Sequence, residues 1–412
     1  MKKGLVKRWT ESSLILRIAI FLVIGALLGI FVPQAKGLAI LGTVFTGALK
    51  GIAPVLVFFL VSSALSKFQE GLGKRFRLVI ILYLLSTFTA AMVAVIMSFN
   101  FPTTVKLTEA AAEGAAPSGI AEVLMNLVTS MVQNPIAALG EGNYIGILFW
   151  SIMAGLAMKV LGAKKAMDVV EEFADITTNI VRYIIQCAPF GIMGIVYSAV
   201  TENGLSIFKD YGRLIVILVV SMLVVVFVTN ALIIACVIKR NPYKLIFKCI
   251  KDSGITAFFT RSSAANIPVN MALCEELGIE KDFYSICIPL GSTVNMDGAA
   301  VTINILTLCL ANTLGIHVDL PTAIVLSFLA TLGACGASGV PGGSLMLIPM
   351  AASLFGINND LAMQIVAVGF ILSVIQDSME TAINSSGDAM FCAAAEFREK
   401  FKKGEKVALY DK

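Results

Sequence analysis

The stretch GSTVNMDGAA, residues 291–300, lies between two strongly apolar segments. It places Asn295, Asp297 and the helix-weakening Gly298 inside a run that is otherwise hydrophobic enough to cross a membrane. Backbone groups freed from a helix in hydrocarbon need polar partners. The stretch therefore predicts an unwound turn within a membrane helix, with oxygen-bearing side chains beside the freed carbonyl groups.

The composition of the whole chain gives this stretch its setting. Of the 412 residues, 58% are hydrophobic and only 14% are charged, and the mean hydropathy is +0.88. Such a composition is typical of polytopic membrane proteins. The net charge of +4 is explained by basic loops that set the topology, so binding of nucleic acid is not indicated.

Apolar runs long enough to cross a hydrocarbon core of about 30 Å recur along the chain. Eight spans are predicted, at roughly 12–32, 38–65, 76–98, 142–161, 174–200, 211–238, 284–314 and 363–397. Two further apolar segments, 243–273 and 320–357, are interrupted near their centres by serine, glycine and proline. We expect each of these to enter the membrane as a helical hairpin.

Basic residues cluster in alternate connections between the spans: before the first, after the second, fourth, sixth and eighth. The other connections, near 33–37, 99–118 and 201–210, carry one lysine each. The positive-inside rule then places both termini in the cytoplasm. The chain is expected to be a multi-pass protein of a bacterial inner membrane, with its first span retained.

Signals for other chemistries are weak. The eight cysteines form no C-x-x-C pair and lie mostly in apolar segments, which favours reduced core residues. His317 is the only histidine, and the sequence has no phosphate-binding loop of the G-x-x-x-x-G-K-[ST] type. We expect neither an organic cofactor nor an enzyme, and any transport should be driven by an ion gradient.

The last span holds a stripe of polar residues at intervals that place them on one face of a helix. They are Ser373, Asp377, Glu380, Thr381, Asn384 and Asp388. Each carboxylate would cost at least about 2.5 kcal/mol facing lipid. No lysine or arginine occurs between residues 281 and 398, so a bound cation is the expected counter-charge, and hard oxygen donors favour Na⁺. The alternative is that these acids only tie helices together or meet solvent.

Each interrupted segment precedes a span with an acidic, asparagine-containing motif, NMDG after the first and NSSGD after the second. This repeated order is the layout of inverted-repeat secondary transporters, which bind substrate and ions near the membrane midplane. We expect the first hairpin to enter from the cytoplasm and the second from outside. Their tips would then meet around the substrate.

Four motifs, in this order and spacing, resemble those of the dicarboxylate/amino acid:cation symporters, the glutamate-transporter family. They are TRSSAANIPV, PLGSTVNMDGAA, GASGVPGGS and NSSGDA. The resemblance covers essentially the whole chain. It implies an all-α fold of eight transmembrane helices and two re-entrant hairpins, assembled as a homotrimer in the lipid bilayer. It also implies an elevator-type motion of a transport core past a fixed scaffold.

The resemblance divides the chain into three parts. Residues 1–240 would form mainly the scaffold and trimer contacts, with span three contributing to the transport core. Residues 241–400 would form the transport core, and 401–412 a cytoplasmic tail.

Carried over position by position, the resemblance implies a site for an amino acid. Its members are Ser262, Ser263, Val340, Gly342, Asp377, Glu380, Thr381 and Asn384. The first hairpin tip around Ser263 would take the α-carboxylate with help from Asn384, and Asp377 would take the ammonium group. The tip of the second hairpin, 339–342, would be the extracellular gate.

The resemblance also implies three groups of Na⁺ ligands. The first is the Gly291 carbonyl with Asn295, Asn384 and Asp388. The second is Tyr83, Ser86, Thr87 and Asp297. The third is Thr293, Met296, Ala334, Cys335 and Ala337. From the residues alone, the polar positions of the third span are explained as well by ordinary helix packing.

Departures from the family pattern predict the substrate. Members that carry acidic amino acids have an arginine where this chain has Glu380, and two carboxylates repel in a low-dielectric site. Ala264 and Ala299 replace a serine and a threonine, which makes the pocket less polar and suits a small neutral side chain. The pattern is similar to that of the bacterial serine/threonine:sodium symporters. It predicts Na⁺-coupled uptake of serine and threonine, with Thr381 available to bond the hydroxyl.

Other interpretations stay open from the sequence. Glu380 could face water, carry a proton or recognise a cationic substrate. The chain could instead be a Na⁺- or H⁺-coupled symporter of acidic amino acids or dicarboxylates. An ion channel is disfavoured because these motifs are asymmetric within one chain, and a membrane enzyme because no nucleophile–base pair is evident.

Overall fold

The structure is a computed structural model that describes residues 14–66, 73–107, 125, 128–204, 207–335 and 342–410. Within these ranges, all regular elements are helical. Five of the described helices are long and apolar enough to cross a membrane, or six when one bent pair is counted as a span. The prediction of an all-helical, multi-pass membrane protein is thereby confirmed.

The N-terminal part of the bundle contains the first predicted spans. Its helices are α1 (Leu14–Phe31), α2 (Ala39–Ser66), α3 (Gly73–Asn100), α4 (Pro135–Glu141) and α5 (Tyr144–Leu161). Phe31 in α1 is 74% exposed and Val160 in α5 is 84% exposed. Exposure of such large apolar side chains costs little free energy when they contact lipid hydrocarbon instead of water.

The predicted span 174–200 lies in a bent pair of helices. The chain forms α6 (Lys164–Gln186) and α7 (Ala188–Asn203), bent by 55° at Cys187. Pro189 follows directly in the first turn of α7, where its missing N–H costs no hydrogen bond. Apolar content alone could not show the bend, because the two arms together are apolar enough to count as one membrane span.

A π-helical turn interrupts the sixth predicted span. It lies between α8 (Ile207–Val224) and α9 (Asn230–Ile238) and covers Val225–Thr229. The widened turn ends directly before Asn230, which is fully buried and points into the bundle. Such turns are frequent at functional sites.

The first interrupted segment is a pair of helical arms, as predicted. One arm comprises α10 (Tyr243–Cys249), a π-helical turn and α11 (Ile255–Thr260), and the other is α12 (Ser263–Glu276). Arg261 ends the first arm with φ of 52°, in the left-handed region. Ser262 then caps α12 by accepting a hydrogen bond from the Ala265 N–H.

The opening stretch is unwound, as predicted. Helix α13 (Lys281–Val294) ends at Asn295, Met296 has φ of −121° and ψ of 51°, and α14 (Asp297–Thr313) begins directly after it. Gly298 permits α14 to lie against the last helix, because a Cβ there would be 2.7 Å from the Cα of Glu380. The break therefore lies inside the bundle, in contact with the polar stripe.

The second interrupted segment also has two arms. They are α15 (Leu320–Ala334) and a short 3₁₀ turn, Ser344–Leu347, that leads into α16 (Ile348–Ser353). The last helix, α17 (Asn359–Lys402), has 44 residues. Residues 336–341, which include most of the predicted gate, lie outside the described residues.

Packing divides the described helices into two groups. Helices α1, α2, α5, α6 and α7 pack mainly on one another, whereas α3 packs on α14 and α15. The arms of the first hairpin pack on α17 and α13. The two groups meet where α2, α5 and α7 touch the second arm of the second hairpin and α17, including an edge-to-face contact between Phe45 and Phe370.

A charged cluster holds α3, α13 and α17 together at one end of the bundle. Arg75 contacts Glu280 and Glu396, each at 2.6 Å, and lies over the Phe283 ring. Its hydrogen bond lowers the pKa of Glu280. Glu396 is only 1% exposed on its side chain, whereas that of Glu280 is 58% exposed. The buried half of this cluster should therefore contribute most to stability.

Arg75→Ala is expected to lower the free energy of unfolding by about 2 kcal/mol, because it leaves the buried Glu396 carboxylate poorly paired. Thermal unfolding in detergent should show the lower midpoint. The control is Glu280→Gln, which removes only the exposed partner and should leave the midpoint nearly unchanged. Equal effects of the two substitutions would contradict this account.

Candidate functional site

The break between α13 and α14 brings together the first predicted group of ion ligands. The Asn295 amide donates to the Asn384 carbonyl at 3.1 Å and to Asp388 Oδ1 at 3.2 Å. A Cβ on Gly291 would be 2.9 Å from the same oxygen of Asp388. The two motifs that are far apart in sequence, NMDG and NSSGD, thus form one buried site.

Asp388 is the least satisfied acid in this site. It is completely buried, and its Oδ2 has no hydrogen-bond partner within the described part of the chain. The Tyr83 hydroxyl donates to the main-chain carbonyl of Asp388, at 3.1 Å, and not to its carboxylate. A buried carboxylate oxygen without a donor calls for a cation or a proton.

Asp297 is the centre of the second predicted group. Its Oδ1 accepts from Ser86 at 2.9 Å and from Thr87 at 3.2 Å, and its Oδ2 accepts from Asn230 at 2.8 Å. The Tyr83 side chain belongs instead beside Gly291 and Asp388, because its hydroxyl would be 2.8 Å from a Cβ at residue 291. The third-span residues therefore do more than pack helices: Ser86 and Thr87 donate to the Asp297 carboxylate, and Tyr83 donates to the main-chain carbonyl of Asp388.

Asn230 was not predicted as a site residue. Its amide is fully buried and completes the hydrogen bonding of Asp297. The signal in the sequence was an asparagine within the apolar run of the sixth span.

The third predicted group is only partly described. Cys335 Sγ lies 3.7 Å from the Val294 carbonyl, so the end of α15 meets the end of α13. The Met296 sulfur accepts from the Asn384 amide at 3.4 Å, and the Thr293 hydroxyl donates to the Leu290 carbonyl within its own helix. Ala334 ends α15 beside this contact, and Ala337 lies outside the described residues.

Asp377 has a counter-charge that the sequence analysis did not foresee. Arg261 Nε contacts Asp377 Oδ2 at 2.6 Å, and both side chains are almost completely buried. The Gly342 N–H donates to Asp377 Oδ1 at 3.1 Å. The expectation that a bound cation balances the acids of this stripe is therefore wrong for Asp377, because the left-handed turn of the first hairpin carries Arg261 to it.

Glu380 lies one turn further along α17 and has different neighbours. Its Oε2 accepts from Thr302 and Ser344, both at 2.8 Å, and from the Gln376 amide. The three donors come from α14, the second hairpin and α17 itself. Glu380 is 6% exposed, so it faces the bundle interior and not bulk water.

The remaining predicted substrate residues surround the same region. Ser262 is engaged as the α12 cap, Ser263 is buried directly after it, and the Thr381 hydroxyl donates to the Asp377 carbonyl at 2.8 Å. Asn384 Oδ1 accepts from the Gly298 N–H at 2.8 Å, so this side chain joins the ion group to the stripe. Val340 lies outside the described residues.

Two helix ends and a broken helix thus direct polar groups to one buried region. The start of α12 presents backbone N–H groups, which favour an anion, and the acids of α14 and α17 favour cations. An arrangement of this kind can bind a zwitterion together with small hard cations. It defines a class of protein, the ion-coupled membrane transporters.

Comparison with known proteins agrees with this class. The family model described as the sodium:dicarboxylate symporter family matches residues 14–396, and the chain belongs to that family. A relative named serine/threonine transporter SstT from Streptococcus agalactiae is 55% identical over 395 residues, which cover 96% of this chain and 98% of the relative.

Two more relatives carry the same name. The protein from Streptococcus thermophilus is 53% identical over 395 residues, covering 96% of this chain and 98% of the relative. The protein from Bifidobacterium adolescentis is 51% identical over 408 residues, covering 99% of this chain and 95% of the relative.

Gly291→Ala is expected to raise the Na⁺ concentration for half-maximal substrate uptake at least tenfold. The new Cβ would lie 2.8 Å from the Tyr83 hydroxyl and 2.9 Å from Asp388 Oδ1, so it would displace the ligands of the first group. The Na⁺ dependence of uptake into proteoliposomes measures this. Gly212→Ala is the matched control, because a Cβ there meets nothing within 4 Å. An unchanged Na⁺ dependence in the first variant would contradict the assignment.

Proposed function

We propose that the protein is a secondary active transporter that couples inward Na⁺ movement to the uptake of serine and threonine. The observation that carries the proposal is the pair of buried acids at the helix break, Asp297 and Asp388, neither paired with a lysine or arginine among the described residues. Family membership supports Na⁺ coupling, and the relatives named serine/threonine transporters support the substrate.

The two acids have different roles in this proposal. Asp388, with one unpartnered oxygen, would bind Na⁺ together with the Gly291 carbonyl and the side chains of Asn295 and Asn384. Asp297 would bind a second Na⁺ together with Ser86 and Thr87. Both acids are fully buried. Oxygen ligands at such sites would replace the hydration shell of the ion. A third site would use Met296 and the end of α15.

The amino acid would bind between the two hairpins. Its α-carboxylate would meet the N–H groups at the start of α12, and its ammonium group would meet Asp377. The Gly342 N–H on Asp377 Oδ1 supports this, because it links the second hairpin directly to the ammonium site. Arg261 neutralises Asp377, so this acid is not left without a counter-charge.

We further propose an elevator-type motion, a homotrimer and cytoplasmic termini. The transport core would comprise α3 and the helices from α10 to α17, and α1, α2 and α5–α7 would form the scaffold. The packing supports this division, because the first hairpin packs within the core while the second hairpin and α17 touch the scaffold. If the core slides along the scaffold, the second hairpin and α17 would exchange their present contacts with α2, α5 and α7 for others.

A second candidate is a Na⁺-coupled symporter of acidic amino acids or dicarboxylates. The observation that favours it is the buried guanidinium of Arg261, which lies beside the substrate site and could pair with a second carboxylate. Against it stands the Asp377 salt bridge, which already uses this charge, and Glu380, which repels a carboxylate at the next turn of the helix.

The experiment is uptake of labelled serine into proteoliposomes that contain only this protein. With an inward Na⁺ gradient, serine should accumulate; threonine should inhibit it, and aspartate should not. A K⁺ or proton gradient alone should give no accumulation. Na⁺-driven uptake of aspartate would support the second candidate, and flux without accumulation would indicate a channel.

Glu380→Arg is expected to raise the KM for serine at least tenfold and to produce measurable aspartate uptake. The guanidinium would supply the charge that pairs with a side-chain carboxylate. Glu380→Gln is the control: it removes the negative charge without adding a positive one, and should gain no aspartate uptake. Serine uptake with an unchanged KM in the Arg variant would place Glu380 outside the pocket.

A further inference from the structure

Four side chains form a buried hydrogen-bonded group next to the ammonium site. Gln376 and Glu380 lie on α17, Thr302 on α14 and Ser344 on the second hairpin. Gln376 is 1% exposed, Thr302 and Ser344 are fully buried, and Glu380 is 6% exposed. The group therefore cannot exchange its hydrogen bonds with bulk water, and every donor and acceptor in it can be counted.

All the donors of this group are used. The Gln376 amide donates one hydrogen to Thr302 Oγ1 at 2.8 Å and the other to Glu380 Oε2. The hydroxyls of Thr302 and Ser344 donate to the same carboxylate oxygen at 2.8 Å. The Gln376 amide is assigned the orientation that places its NH₂ group, and not its carbonyl oxygen, against the Glu380 carboxylate.

Acceptors, in contrast, remain open. Gln376 Oε1 is buried and has no hydrogen-bond partner in the described ranges. The second oxygen of the Glu380 carboxylate, Oε1, accepts none of these four hydrogen bonds. An unmet buried acceptor is unfavourable. The group therefore lacks one thing, a hydrogen-bond donor.

We propose that Gln376 is a specificity-determining residue whose Oε1, together with the open oxygen of Glu380, accepts the hydroxyl hydrogen of the substrate side chain. This inference rests on the proposed function. An amino acid whose ammonium group meets Asp377 would direct its side chain along α17 towards these oxygens. A hydroxyl supplies the missing donor, alanine supplies none, and the carboxylate of aspartate would add only further acceptors.

The first experiment uses the unaltered protein in proteoliposomes and measures inhibition of Na⁺-driven serine uptake. Threonine, alanine and O-methylserine are the inhibitors; O-methylserine keeps the side-chain oxygen but has no hydrogen to donate. Alanine and O-methylserine are expected to need at least about tenfold higher concentrations than threonine. Inhibition by O-methylserine equal to that by threonine would overturn the proposal.

The second experiment compares Gln376→Met, which keeps the length of the side chain and removes its acceptor, with Ser378→Ala. Ser378 is a buried residue of α17 whose hydroxyl, among the described residues, donates to the Val374 carbonyl within its own helix, so its loss should change every KM less than twofold. Gln376→Met should raise the KM for serine about tenfold and leave the KM for alanine unchanged or lower.

An equal rise of both KM values would show that Gln376 only supports the fold, and it would overturn the proposal. Failure of the proposed function is distinguishable, because the unaltered protein would then show no Na⁺-driven uptake of serine. Should Gln376→Met not fold, the inhibitor series on the unaltered protein decides the question alone.

Discussion

The structure depends on one constraint, the cost of placing carboxylates inside an apolar helix bundle. The four acids of the candidate site meet this cost differently. Asp377 pairs with a guanidinium, Asp297 accepts from an amide and two hydroxyls, and Glu380 accepts from three neutral donors. Asp388 receives one amide and keeps an oxygen without a donor. Asp388 is thus the acid best suited to bind a cation that comes and goes. Asp377, which is paired with Arg261, is best suited to exchange that partner for another positive group.

Features that arise from local sequence were predictable. The unwound turn at 295–296 follows from polar residues and a glycine in an apolar run, and both hairpins follow from their broken centres. The polar stripe of α17 follows from helical spacing alone. The approach of NMDG to NSSGD did not follow from spacing; the resemblance to a family supplied it, and the Asn295 hydrogen bonds agree with it.

Features that depend on turns and distant contacts were not predictable in this way. The pairing of Arg261 with Asp377 needs a left-handed residue between two arms, and no periodicity reports a single φ angle. Asn230 is a single amide in an otherwise apolar part of its span, and the sequence does not show that its partner is Asp297, 67 residues away. The bend at Cys187 was missed because hydropathy is insensitive to the direction of a helix.

The length of α17 has a mechanical consequence. Its 44 residues correspond to about 66 Å of helix, roughly twice the thickness of the hydrocarbon layer. Asp377 and Asn384 lie close to its midpoint, so about 30 Å of rod extends from them in each direction. In the proposed elevator-type motion, a helix with this surplus length would still cross the bilayer at every stage, so the bound substrate would change depth without the helix having to fold or unfold.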